Sequence, residues 1–284
     1  MILVTGATGM FGGQVAGRLA QRGVAVRGLT RSAEGARRLG AQGVEPAVGD
    51  MDDPASLAAA LEGVDRVFLV SPMDLFVGER ESRVIRAASQ ASVKHVVKLY
   101  GSVRHRGDPL DQAHQLSITT LRASGIPWTL VSPNTVMESN FLPLAESVRG
   151  GTIFGSAGQG RVGFVALGDC AEVVCHVLTS QGHEGQNYEV TGPAALTFAQ
   201  VAEEFTAVLD RPVAYQDLPE LDFARLLVES GAFSEQEVEL AVLCHFRAFR
   251  RGDADLVTDV VPRLLGRPAA SVRQFLEEHR ARFA

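Results

Sequence analysis

Lysine is almost missing from this chain of 284 residues: it occurs only at Lys94 and Lys98, so nearly all of the 27 basic side chains are arginines. Any chemistry that leans on a lysine amine has just these two sources. A basic surplus is lacking as well, because 33 acidic residues leave a net charge of −6, which argues against an electrostatic nucleic-acid binder. Cysteine is limited to Cys170, Cys175 and Cys244. An odd number, without CxxC spacing or a neighbouring His/Cys cluster, excludes a disulfide framework and gives no metal site, so reduced, mostly buried thiols are expected. No run approaches the roughly 18 apolar residues needed to span a bilayer. Residues 1–4 run straight into Thr5 and Gly6, with neither the basic segment nor the apolar length of a signal peptide. A cytoplasmic protein with no membrane or nucleic-acid partner is the expectation.

What is present has the balance of a globular domain, with 46% hydrophobic and 21% charged residues, and the length is ample for a large core. Residues 1–135 alternate short β-branched apolar runs with amphipathic stretches, the pattern of a parallel sheet covered by helices. Strands are expected at 2–5, 25–29, 44–48, 66–70, 95–99 and 128–132. Phe11, Val15 and Leu19 share one helical face, and Asp53 before Pro54 offers an N-cap and a preset first helical position. The fold class is therefore α/β, a doubly wound parallel sheet. A smaller, mostly helical lobe is expected over 136–284. There the Gly-rich stretch 150–163 reads as turns or a hairpin, and Thr197/Gln200 and Ser234/Glu237 read as capping boxes. The runs 164–167 and 187–190 are candidates to return to the main sheet.

The segment Thr5-Gly6-Ala7-Thr8-Gly9-Met10-Phe11-Gly12 lies between an expected strand and an expected helix. Gly6 permits the tight turn, Gly9 lets backbone approach a pyrophosphate, and Gly12 lets the helix pack closely, with its N-terminus facing the anion. A dinucleotide-binding loop follows. NAD-preferring sites usually place Asp or Glu about 20 residues further on, for the ribose hydroxyls. Here the stretch is Thr30-Arg31-Ser32, and a guanidinium pairs bidentately with a 2′-phosphate, so the expected cofactor is NADP(H). The Gly49-Asp50-Met51-Asp52 turn reads either as an adenine contact or as plain helix capping. Ser71-Pro72 and Pro133-Asn134 end the fourth and sixth strands, at the edge where open α/β sheets bind ligands.

Together these residues resemble the NmrA-like branch of the atypical short-chain dehydrogenase/reductase superfamily, which includes flavin-independent NAD(P)H:quinone oxidoreductases and azoreductases as well as non-catalytic regulators. The resemblance rests on Ile2-Leu3-Val4-Thr5-Gly6-Ala7-Thr8-Gly9, Gly49-Asp50, the stretches 93–99 and 121–129, Phe164 to Ala171 with Asp169, and Leu265-Gly266-Arg267-Pro268. It implies that the glycine loop, Arg31, the Asp50 turn, Ser71, Pro72, Pro133 and Asn134 line the cofactor. Two features depart from it. The superfamily's usual catalytic Tyr, followed four residues later by Lys, is absent around Tyr100, Tyr188 and Tyr215, and the lysine that some relatives carry before the sixth strand is Thr119 here.

The remaining ionisable candidates are Tyr100, His105 and His114. Tyr100 follows the fifth strand and can stack on the nicotinamide, donate a proton or simply pack the strand end. His114 is read as lying at a helix start, where neutral imidazole is favoured, and serves either as a structural hydrogen-bonding group or as an acid. His105 reads as a solvated loop residue. Met137, Phe141, Leu142 and Phe154 either wall a substrate cleft or form ordinary core. The leading reading is an NADPH-dependent reductase that transfers hydride to a small quinone-like or conjugated aromatic electrophile without flavin or metal. The alternative is an NADP(H)-sensing regulator that binds a protein partner, and a homo-oligomer is compatible with either.

Overall fold

The computed structural model describes residues 1–103, 109–231 and 233–284. The expected alternation appears as β1 (Ile2–Val4), α1 (Met10–Gln21), β2 (Val26–Thr30), α2 (Ala33–Ala41), β3 (Glu45–Val48), α3 (Pro54–Ala60), β4 (Arg66–Leu69), α4 (Val77–Gln90), β5 (His95–Leu99), α5 (Pro109–Ala123) and β6 (Trp128–Pro133). There follow α6 (Met137–Phe141), α7 (Ala145–Arg149), β7 (Thr152–Gly155), α8 (Leu167–Thr179), β8 (Asn187–Val190), α9 (Phe198–Leu209) and β9 (Ala214–Asp217). The chain ends in helices α10 (Glu220–Glu229), α11 (Glu235–Val238), α12 (Cys244–Arg251), α13 (Val260–Leu265), α14 (Val272–Glu278) and α15 (Arg280–Phe283).

Seven strands form one sheet in the order β3-β2-β1-β4-β5-β6-β8, and the pairs from β3 through to β6 are parallel. β8 continues the pattern: Leu130 N donates to Gln186 O and Asn134 N to Val190 O, each at 2.9 Å, so both chains advance in the same direction. Helices on both faces explain why β1, Ile-Leu-Val, is buried throughout and why such strands read as unbroken apolar runs. Val15, Ala16 and Leu19 of α1 are fully buried. Asp53 caps α3 through Ala55 N at 3.0 Å and Ser56 N at 3.3 Å, ahead of Pro54. The doubly wound α/β expectation holds.

The chain divides into two compact units, and the expected boundary at residue 135 differs from it. The first unit comprises Met1–Tyr100, Pro109–Ser132 and Cys170–Tyr188; residues 101–103, Pro133–Asp169 and Glu189–Ala284 belong to the second. Residues 170–188 join the first because β8 is a parallel strand, which needs a crossover helix, and α8 supplies it. The run 164–167 does not enter the sheet. It makes one isolated bridge, Val136 with Val165, and is taken up by α8 from Leu167 onward. The Gly-rich stretch is not a hairpin either, since β7 pairs in parallel with the distant β9.

Aromatic residues concentrate in the second unit, whose core contains Phe141, Phe164, Phe198, Phe205, Phe249 and Phe275. Phe141 meets Phe164 with ring centroids 4.8 Å apart. Both expected capping boxes are present, and Ser271 with Gln274 forms a third. Buried Asp169 accepts from Ala270 N at 2.7 Å and pairs with Arg267 at 2.7 Å, which brings together two stretches that carried the family resemblance. All three cysteines are buried and none is in a disulfide. Among the described residues no helix is long and apolar enough to cross a membrane.

One buried group in the first unit gives its stability a pH dependence. Thr129 Oγ1 donates to His183 O at 2.6 Å, so it must accept from His95 Nε2 at 2.9 Å. His95 therefore carries its proton on Nε2, while buried Nδ1 has no partner among the described residues. Burial, then the neighbouring Arg66, pushes the imidazole down to about 4 from 6.5. The folded state binds the second proton more weakly than the unfolded state, so this stability is present above the unfolded pKa and is lost as pH falls from about 6.5 towards 4. Urea titrations at pH 7 and pH 5 should show wild type losing about 2 kcal/mol more than His95→Gln. Parallel losses in the two proteins would show that His95 is not the responsible group.

Candidate functional site

The turn between β1 and α1 is shaped by two steric demands. Gly6 has φ of +54°, a left-handed conformation open to glycine. A Cβ on Gly12 would lie 2.2 Å from Gly6 O and 2.7 Å from its carbonyl carbon, so only glycine lets α1 come this close to the strand. Thr5 stitches the turn to β4: its Oγ1 donates to Val70 O at 2.7 Å and accepts from Val70 N at 2.9 Å. Gly9 is the extended N-cap of α1 and supplies no side-chain cap. The amides of the first turn are thus left for an external acceptor, and Thr8, Gly9 and Met10 beside them are exposed, while Ala7 is buried and Phe11 half-buried. Anionic oxygens fit such a helix end.

The other first-unit candidates take different parts. Arg31 follows β2 directly, is exposed, and has no side-chain acceptor among the described residues. Ser32 caps α2 by accepting from Gly35 N at 3.0 Å. Asp50 closes its own turn, its Oδ1 accepting from Asp52 N at 2.9 Å, and Met51 is packed into the apolar core. Ser71, just beyond β4, is half-buried and donates to Glu81 Oε1 at 3.0 Å; Pro72 is exposed.

In the second unit, Pro133 O accepts from Ser102 N at 2.9 Å. Asn134 is nearly buried, with Nδ2 donating to Ala254 O at 3.0 Å and Oδ1 accepting from Thr135 at 3.1 Å. Met137 and Phe141 are fully buried core, so in this conformation they pack the unit and present no surface to a ligand. Leu142 and Phe154 remain partly exposed.

Tyr100 extends β5, with its amide bonded to Val131 O at 3.0 Å. Its hydroxyl donates to Asp111 Oδ1 at 2.6 Å and accepts from Gln115 Nε2 at 3.0 Å. His114 packs edge-on against the Tyr100 ring, centroids 5.4 Å apart. It lies in the second turn of α5, which begins at Pro109, not at the helix start expected from the sequence, and the helix-end field fades within the first turn. His105 lies outside the described residues.

Sequence reasoning passed over Asp111, Gln115 and Glu81. Glu81 is buried, and its Oε2 accepts from Ser117 Oγ at 2.8 Å and from the ammonium of buried Lys98. A signal was available: Glu81 sits within the buried Val77, Val84, Ile85, Ala88 face of α4, and a carboxylate there requires a buried cation. Among the described residues no cluster of His, Cys, Asp or Glu is arranged to hold a metal.

The model of the NmrA-like family matches residues 1–250. The chain is 39% identical over 290 residues to (4-alkanoyl-5-oxo-2,5-dihydrofuran-3-yl)methyl phosphate reductase of Streptomyces griseus, covering 100% of this chain and 99% of the relative. It is 35% identical over 289 residues to an NAD(P)H azoreductase of Xenophilus azovorans, with 100% and 99% covered. The crystal structure of an NADPH-dependent quinone oxidoreductase of Escherichia coli complexed with NADPH superposes with a TM-score of 0.89 at 28% identity, covering 98% of this chain and 99% of that one.

The glycine geometry is directly testable. Gly12→Ala should lower stability by about 1–3 kcal/mol, because backbone must retreat from backbone. Gly13→Ala, whose Cβ would meet Ala7 O at 3.4 Å, should be tolerated. Thermal midpoints of the two variants compare them, and equal midpoints would contradict the close-approach account.

Proposed function

The chain belongs to the NmrA-like family, and from that premise we propose that it is an NADPH-dependent reductase that passes hydride to quinones or other conjugated aromatic electrophiles without flavin or metal. The observation that carries this reading is the close approach of α1 to β1 at Gly12 and Gly6, beside a helix end without a side-chain cap, which suits anionic oxygens. NADPH, when bound, supplies the hydride. The chain's own residues bind and orient it.

Arg31 favours NADPH over NADH. It is exposed directly after β2 with no side-chain acceptor among the described residues, where a guanidinium pairs with the 2′-phosphate and where no carboxylate stands at the strand end to favour an unphosphorylated ribose. Tyr100 acts through position. Its proton is engaged by Asp111, and no lysine follows four residues on, so the ring is held in place and the hydroxyl is a poor proton source. Quinones suit this arrangement, because conjugated carbonyls accept hydride readily and the proton can come from solvent.

Calorimetric titration should give a preference for NADPH over NADH of about 10- to 100-fold in wild type, from a charge-assisted bond of about 1.5–3 kcal/mol. Arg31→Ala should abolish most of it. Equal affinities in wild type would remove the role given to Arg31. NADPH oxidation against a panel of quinones, azo compounds and enones tests the reaction itself: turnover well above background supports the reductase, and tight binding without turnover favours a sensor. In single-turnover experiments at saturating NADPH, Tyr100→Phe should stay within about threefold of wild type, whereas Tyr100→Ala should lose at least about tenfold through misplacement of the reacting groups. Equal losses in both, with unchanged cofactor affinity, would make the hydroxyl essential and the positioning account wrong.

A further inference from the structure

The first unit buries one ammonium and one carboxylate against each other. Lys98 is 0% and Glu81 1% exposed. Lys98 Nζ donates to Glu81 Oε2 and, at 3.3 Å, to Leu99 O. The carboxylate accepts two further hydrogen bonds, from Ser117 Oγ at 2.8 Å on Oε2, whose hydroxyl also lies 2.9 Å from His114 O, and from Ser71 Oγ at 3.0 Å on Oε1. A buried ion pair gives little net stability compared with apolar residues of the same shape, because desolvation opposes the attraction. The link to Ser71 offers another role for it. Val70, next to Ser71, has its carbonyl held by Thr5 Oγ1 at 2.7 Å, and that oxygen lies 2.9 Å from where a Cβ on Gly6 would stand. The half-buried Ser71 therefore lies immediately beyond the glycine turn.

We infer that Glu81 is a positioning residue: it takes the single proton of the Ser71 hydroxyl, so that Ser71 presents only lone pairs to the bound dinucleotide and accepts a hydrogen bond from one of its O–H or N–H groups. The inference rests on the proposed NADPH site and deepens it. An ionised carboxylate beside a buried ammonium can only accept, and a serine hydroxyl has one proton to give. With that proton committed, the ligand group matched to Ser71 must be a donor, either a ribose hydroxyl or the carboxamide N–H2 of nicotinamide. A neutral glutamine at position 81 would reverse the polarity. Its oxygen would serve Lys98 and Ser117, its N–H2 would donate to Ser71, and the Ser71 proton would turn towards the ligand.

The test is a binding cycle on the full chain with NADP+, read by calorimetry beside thermal midpoints. Ser71→Ala should raise Kd about 3- to 10-fold, with a midpoint lowered by loss of its hydrogen bond to the buried Glu81 carboxylate. Glu81→Gln should raise Kd by a similar factor. Because it leaves the buried Lys98 ammonium without a counter-charge and can weaken the fold, the paired variant Glu81→Gln/Lys98→Met is measured as well, and it too should bind more weakly while folding normally. Adding Ser71→Ala to that paired variant should weaken binding no further, a non-additivity that general destabilisation would not produce. The acetylpyridine analogue of NADP+ distinguishes the donors. If the effect of Ser71→Ala disappears with it, the carboxamide is the donor; if the effect persists, a ribose hydroxyl is. Wild type that does not bind NADP+ overturns the proposed function and this inference together. Wild type that binds, with Ser71→Ala unaltered or strictly additive with the paired variant, overturns this inference alone.

Discussion

The carboxyl edge of the first unit depends on how near the first turn of α1 comes to the end of β1. At Gly12 there is no room for a single methyl group between the helix and the Gly6 carbonyl. Any larger residue would move the helix end, and with it the amide donors that have no side-chain cap. The same turn is tied to β4 through both hydrogen bonds of Thr5 to Val70. The position of the helix end is thereby passed to the residues after β4, Ser71 first among them. A short-range steric condition sets the geometry of two neighbouring strand ends at once.

β5 shows two answers to the burial of a basic side chain. His95, at its start, is kept neutral: the Thr129 hydroxyl serves its protonated nitrogen and nothing among the described residues meets the other. Lys98, near its end, has Glu81 as a carboxylate partner, which Ser117 and Ser71 also engage. A group that can discard its charge within the ordinary pH range needs only hydrogen bonds, whereas an amine with a reference pKa near 10.4 calls for a counter-ion. The neutral solution makes stability depend on pH. The paired solution builds a fixed polar network next to the glycine turn.

The missing Tyr-Lys pair gains a physical sense from the hydroxyls that are present. Both Ser71 and Tyr100 direct their protons to carboxylates, Glu81 and Asp111 respectively. Side chains arranged in this way hold and accept; they do not hand over protons. On the proposed reading, such an edge would suit an acceptor that takes hydride unaided better than a reaction in which a protein acid must protonate an unactivated carbonyl.

The sequence by itself determined the alternation of strands and helices, because each parallel strand buried on two faces must be an apolar run and each crossover helix must carry one apolar stripe. It determined the glycine turn and the absence of a carboxylate at the end of β2, since both follow from residue type at a fixed distance from a strand. The place of Arg31 directly after β2 was legible for the same reason. Only the tertiary structure decided that β8 joins the sheet and draws residues 170–188 into the first unit, that β7 finds β9 instead of forming a hairpin, and that Met137 and Phe141 are core. It alone paired Lys98 with Glu81 and Tyr100 with Asp111. These partners are 17 and 11 residues apart, on elements whose facing side chains depend on how helix packs on sheet, and local periodicity carries no information about which buried carboxylate will meet which cation or hydroxyl.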